Sequence, residues 1–263
     1  MNSSVSHLEP GTWKSLDEVV HEPGFSDHAM RVIQRVPAAL DDGEVLDVLH
    51  HAKGVFGADV AVFVSFIRDD ESRESFRFIV AADPRWCLTY QAKGWFSNDA
   101  WLLYAAANSQ PTSDTHIPLR TKGQREAREV SAEHGAVSAY IVPAPAGGGL
   151  SRLGVLVLGS RIAGYFDSPA AGAIKILARS LSMELHEWWV RQTRQEVIAR
   201  NRLTDDDLQL LRFEREGKST KEIADLLAVS GVSIDSRFQR LNAKFSTPNR
   251  KAAARLAAEY GLI

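Results

Sequence analysis

The sequence predicts an α+β chain of two domains, an N-terminal α/β/α sandwich followed by an all-α module of four helices. Three observations carry this expectation. Four β-rich runs, 58–67, 75–81, 138–143 and 153–160, are separated by helical patterns, which calls for a few antiparallel strands covered by helices on both faces. From Leu203 onward the strand signals stop and short, strongly capped helical periods replace them. A length of 263 residues, 44% hydrophobic content and a formal charge of −2 suit two soluble domains with proper cores.

Taken in order, residues 1–25 mix Ser, Glu, Pro and Gly without a period and read as an N-terminal extension. Residues 26–190 form the sandwich. It opens on Ala29, Val32, Ile33 and Val36, then on Val45, Leu46, Leu49, Ala52 and Val55, two helical faces of which the second is capped near Asp41 and Asp42. Further helices are expected at 84–93, 98–109 and 121–134. Gly147, Gly148 and Gly149 join the last two strands as a hairpin turn. Ser168-Pro169 opens a long helix, the hydroxyl capping it and the proline fitting its first turn. Ile174, Leu177, Leu181, Leu185 and Trp188 form a seam along it, to be shared between the chain's own sheet and a second subunit. Residues 191–202 lose the apolar period, become charged and read as the linker to 203–263.

In that last stretch Thr204 and the carboxylates Asp205, Asp206 and Asp207 suit the orphan N–H groups at the start of a helix that Gly217 ends. Ser219 with Glu222 makes a capping box for a second helix, with Ile223, Leu226 and Leu227 as its buried face. Ser230 caps a third. There Ile234, Phe238, Leu241 and Phe245 share one face, leaving Ser233, Asp235, Ser236, Arg237, Gln239, Arg240 and Lys244 on the rest. From Arg237 to Arg255 stand six Arg or Lys residues and no Asp or Glu, a cationic strip of the kind that phosphate contact requires.

These residues resemble the C-terminal DNA-binding domain of LuxR-type regulators: Leu203-Thr204, Asp207, Leu211, Gly217, Ser219, Lys221-Glu222-Ile223-Ala224, Leu227, Val229-Ser230, Ile234, Lys244-Phe245, Asn249-Arg250 and Ala253. Asp207 departs from the usual Glu and Arg237 from a frequent His. The resemblance implies a helix-turn-helix with the third helix in the major groove and a fourth, near Arg250 to Tyr260, for dimer contact. It places Asp235, Ser236 and Gln239 toward bases beside Ser233, and Lys221, Arg237, Arg240 and Lys244 on phosphates. A homodimer on a two-fold operator of double-stranded DNA follows.

Within the sandwich, Trp86, Tyr90, Trp95, Phe96, Trp101 and Tyr104 crowd into nineteen residues together with Asp99. On composition alone, packing of amphipathic helices explains them. The spacing of Trp86, Tyr90 and Asp99, however, resembles the signal-binding motif of acyl-homoserine-lactone receptors. The resemblance implies a small-molecule signal, an N-acyl-homoserine lactone or a relative, rather than a cofactor. In it the Trp86 indole donates to a lactone carbonyl, Asp99 accepts from an amide N–H, and Tyr90 lines the chain or donates to the amide carbonyl. An empty pocket would then leave Asp99 buried without its donor. Trp101, Ala139 and Val157 complete the expected wall, with Ala139 in place of a Gly and Val157 in place of a hydroxyl. Ala82 stands for an aromatic, Ala100 for a Pro and Asp114 for a second pocket Trp. Head-group anchors are kept and acyl-side polar contacts are lost, which implies a retuned pocket.

Other chemistry finds little support. Cys87 is the lone cysteine, so no internal disulfide forms, and beside Trp86 it reads as packing. His50 and His51, adjacent on a helix, face different directions and make no metal pair. His134 and Ser151 have no acid to complete a catalytic set, so an enzyme fused to a DNA reader is the remote alternative. The acids at Asp69, Asp70 and Glu71 lack the partners of a phosphorylated receiver. A regulator of the same type with a self-filled pocket and no signal is the nearer alternative. With no apolar run of membrane length and no export signal, a cytoplasmic location is expected.

Overall fold

The computed structural model describes residues 14–69, 73–145 and 152–263. The Gly147–Gly149 turn, Ser151, Asp70, Glu71 and the extension before residue 14 lie outside them. The element order is α1 (Leu16–Val20), α2 (Phe25–Ile33), α3 (Asp42–Val55), β1 (Val60–Asp69), β2 (Arg73–Ala81), α4 (Pro84–Ala92), α5 (Ala100–Ala107), β3 (Thr112–Ser113), α6 (Lys122–Glu133), β4 (Ser138–Pro145), β5 (Arg152–Ser160), α7 (Ala171–Asn201), α8 (Asp205–Arg215), α9 (Thr220–Leu227), α10 (Gly231–Phe245) and α11 (Arg250–Glu259).

The five strands form one antiparallel sheet in the order β2-β1-β5-β4-β3. Because side chains alternate across a strand, each register fixes two faces. Ala61, Phe63, Ile79, Tyr140, Val142, Leu156 and Leu158 point to one side, where α2, α3 and α7 close the main core. Ile141, Val155 and Val157 point to the other, under α5, and Phe78 packs there beside Tyr90 of α4 and Ala127 of α6. The result is the expected sandwich. A separate core of Leu208, Leu211, Ile223, Ile234, Phe238, Leu241, Ala253 and Ala257 holds α8 to α11 together. Among the described residues no helix is long and apolar enough to cross a membrane.

Six points differ from expectation. Residues 14–25 are not extension: Ser15 and Glu18 form a capping box for α1, and Leu16 and Val19 enter the main core. The short edge strand β3, only two residues long, carries too little period to be read. Helix α7 begins at Ala171, after Ser168 and Pro169 have spent a turn, and Ser168 Oγ caps the Ala170 N–H. Its seam is not shared. Ile174, Leu181, Leu185 and Trp188 are each 0% exposed within the chain's own sandwich, and the Trp188 indole donates to Ala39 O at 2.8 Å. Leu226 on α9 is 59% exposed, and Ala224 packs inward with Ile223 instead. The charged stretch 191–202 is helical as far as Asn201, a continuation of α7 whose Val197 and Ile198 touch the second core.

Candidate functional site

Between the sheet and helices α4, α5 and α6 lies a cavity lined by Val60, Val62, Val64, Phe78, Ala82, Trp86, Tyr90, Asp99, Trp101, Leu102, Ser131, His134, Ala136 and Val157. It has a volume of about 40 Å³, enough for water but not for an amphiphile unless the walls part. Of the residues singled out from sequence, Trp86, Tyr90, Asp99, Trp101 and Val157 line it. Ala139 does not: it lies on the same face of β4 but is 0% exposed under α5.

Trp86, Tyr90, Asp99 and Ser131 each have a partner inside the protein. Asp99 is the N-cap of α5: Oδ1 accepts the N–H groups of Trp101 at 2.7 Å and Leu102 at 3.1 Å. Its Oδ2 accepts the Tyr90 hydroxyl at 2.7 Å. The expectation that an empty pocket leaves Asp99 without a donor is therefore overturned, because cap and phenol together satisfy it. Burial raises the Asp99 carboxyl above the usual range, partly opposed by the Tyr90 hydroxyl and the two N–H donors. Burial, with Asp99 beside it, pushes the Tyr90 phenol well above its ordinary value. Trp86 stacks near Tyr90, with ring centroids 4.9 Å apart, and its indole donates to Ser131 Oγ at 3.1 Å. Burial pushes the neighbouring Cys87 thiol up to about 11, which disfavours the reactive thiolate.

Sequence reasoning missed Ser131, and it weighed His134 only as a catalytic residue without an acid, whereas His134 Nδ1 stands 3.4 Å from Asp83 Oδ2. Ser131 and His134 sit on or just beyond α6 and have no motif; only the fold brings them to Trp86. Asp114, expected where a pocket aromatic would stand, is buried outside the cavity. It pairs with Arg128 at 2.6 Å and accepts the Ala139 N–H at 2.7 Å. Arg128 also donates to Ala136 O and Val137 O and lies 5.9 Å above the Trp101 ring, so the pair straps α6 to β4 behind the cavity.

In the C-terminal module, α9 and α10 form two helices joined by a tight turn, with the Ser219–Glu222 box and the Ser230 cap both made. Lys221, Asp235, Gln239 and Arg240 are exposed, while Ser233, Ser236 and Arg237 are half-buried. Val232, not singled out before, stands 77% exposed one turn ahead of Asp235 and Ser236. Asp235 is held from within: Thr220 Oγ1 donates to it at 3.3 Å and receives Arg250 Nη1 at 3.0 Å. Arg250 also pairs with the buried Glu214 at 2.8 Å. Lys244 is the correction here. Its ammonium donates to Asp207 Oδ2 at 2.6 Å and to Arg202 O at 2.8 Å, so it ties α10 to the start of α8 instead of being offered to phosphate.

With this geometry in place, comparison with known proteins decides the family. The Autoinducer binding domain family matches residues 41–183, over half of the chain. The chain belongs to that family, as a LuxR-type regulator. Regulatory protein SdiA of Escherichia coli (strain K12) is 26% identical over 212 residues, 73% of this chain and 78% of SdiA. The HTH-type quorum-sensing regulator RhlR of Pseudomonas aeruginosa is 34% identical over 61 residues, 23% of this chain and 25% of RhlR. A solved structure of SdiA in complex with octanoyl-rac-glycerol shares the fold: TM-score 0.69, 19% identity, 92% of this chain and 98% of that one. This LuxR-type regulator is thus a ligand-responsive transcriptional regulator, and its relatives are regulators, not enzymes.

Proposed function

We propose that the cavity under α4, α5 and α6 binds an amphiphilic acyl signal, an N-acyl-homoserine lactone or a related molecule, through Trp86, Tyr90, Asp99, Trp101 and Val157. The carrying observation is convergence: residues spread over β5, α4 and α5 meet around one apolar space whose few polar groups include an indole N–H, a phenol and a carboxylate. SdiA, which shares this fold, is solved with octanoyl-rac-glycerol, an acyl chain on an oxygenated head. Ligand entry then enlarges the cavity, and the acyl chain's burial supplies the free energy for parting the walls.

The output is double-stranded DNA read by a homodimer at a two-fold operator. Lys221, Arg237 and Arg240 supply phosphate contacts, and Asp235, Ser236 and Gln239, beside Ser233, face base edges. With the main seam of α7 consumed inside the chain, the dimer uses the opposite ridge, where Ile176 is 74% and Met183 37% exposed two turns apart. Thermal denaturation of the full chain with N-octanoyl-homoserine lactone, and separately with octanoyl-rac-glycerol, tests the pocket. A stabilising shift with either supports it. No shift with either, and nothing released on denaturing the protein, would sink it and leave a regulator whose pocket is self-filled.

A further inference from the structure

The indole N–H of Trp86 points into an apolar cavity, and its partner is the Ser131 hydroxyl at 3.1 Å. Ser131 is 6% exposed and passes its own proton back to Ala127 O at 2.8 Å, one turn earlier on α6. A helical serine bonded to its own backbone needs no further partner, so the lone pairs of its oxygen are left to accept. Across the cavity, Asp99 is closed by Tyr90 and the α5 N–H groups. The polar groups of Trp86, Tyr90, Asp99 and Ser131 are thus satisfied from within, and the space remaining is about 40 Å³.

We infer that Ser131 is a specificity-determining residue of this pocket: its oxygen holds the place of a ligand oxygen at Trp86, and a signal binds by exchanging with it. This rests on the pocket reading proposed above. The exchange trades one N–H···O bond for another and is close to neutral, so affinity comes from the buried acyl chain. It also sets the ligand class. A plain alkyl chain offers no acceptor, leaves the indole with Ser131 and gains nothing from the polar wall. A carbonyl oxygen on an acyl chain displaces the hydroxyl. Lactone amides and glycerol esters share that chemistry and differ in the head group.

Replacing Ser131 by Ala orphans the indole N–H in the empty protein but not in the complex. Ligand affinity rises while the empty protein loses stability. A serine that merely packed, or that contacted the ligand directly, would give the opposite sign or no change. The full chain, its Ser131→Ala variant and its Ser131→Thr variant, which keeps the hydroxyl, are titrated by tryptophan fluorescence with N-octanoyl-homoserine lactone and, separately, with octanoyl-rac-glycerol. The expected result is a Kd about tenfold lower for Ser131→Ala and unchanged for Ser131→Thr, with the responding probe identifying the head group. Equal or weaker binding by Ser131→Ala, with the wild type binding normally, overturns the exchange and leaves the pocket standing. Binding of neither probe to any of the three proteins overturns the pocket reading, and the inference with it.

Discussion

Two basic side chains four residues apart on α10 illustrate how a residue's role depends on what it already touches. Arg240 is exposed, whereas Lys244 is tied to Asp207 and Arg202 O. Arg240→Ala is expected to weaken DNA binding uniformly across sequences and to reduce the salt slope by about 1. Lys244→Ala leaves the slope alone and destabilises the C-terminal module by about 1 to 2 kcal/mol, between the values of exposed and buried pairs. Salt-dependent binding titrations and urea denaturation separate the two. At Asp99 the sign follows from burial, which raises the folded carboxyl above the unfolded value of about 3.9. Its protonated form therefore favours the folded state. That contribution is complete below about pH 3.9 and is lost as pH rises through the folded value. Relative to Asp99→Asn, which retains a capping oxygen, the wild type is expected to lose stability from pH 4 upward and then level off. A difference between the two that stays constant with pH would show that Asp99 titrates normally. Sequence spacing singled out Asp99 but not its work in the fold: an Asp before an apolar run signals a helix cap as strongly as a ligand contact, and the cap is made.

At the scale of elements, strands and helices of the sandwich were visible because alternation and 3.6-residue periods leave marks in sequence. What a helix face packs against leaves none. The Ile174 to Trp188 seam had the right period and one partner too many, since a sheet and a second subunit ask for the same apolar residues. The two ridges of α7 make this testable. Trp188→Ala removes a fully buried side chain and its bond to Ala39 O, and is expected to cost about 3 to 5 kcal/mol in denaturant unfolding. Ile176→Asp, on the exposed ridge, is expected to leave urea unfolding of the subunit within about 0.5 kcal/mol and to shift sedimentation toward monomer. Unchanged sedimentation would remove that ridge from the dimer. Ser131 was invisible for the same reason as the seam's partner: a serine inside a polar helical pattern says nothing of the indole, 45 positions away in sequence, that it meets.

For the whole molecule, the continuous element is α7. Its 31 residues span about 46 Å, from Ile174 in the sandwich core to Val197 and Ile198 against the C-terminal core. On the way, Glu196 pairs with Arg77 of β2 at 2.9 Å, so the sheet that floors the cavity also grips the helix that enters the DNA-binding module. A ligand that parts α4, α5 and α6 from the sheet acts on the molecule that carries this grip, and a helix transmits a rotation that a loose linker would absorb. Gln195 is exposed and lies between the two cores. Gln195→Pro removes one backbone bond and clashes with the preceding turn, at a local cost of about 3 kcal/mol, without entering either core. Both functions are expected to survive separately: the thermal shift with the lactone or glycerol ester and the salt-dependent affinity for DNA. Their coupling, measured as the ratio of DNA affinities with and without that ligand, is expected to fall toward one. A variant that keeps the wild-type ratio would mean that the signal passes between the domains by contacts other than this helix.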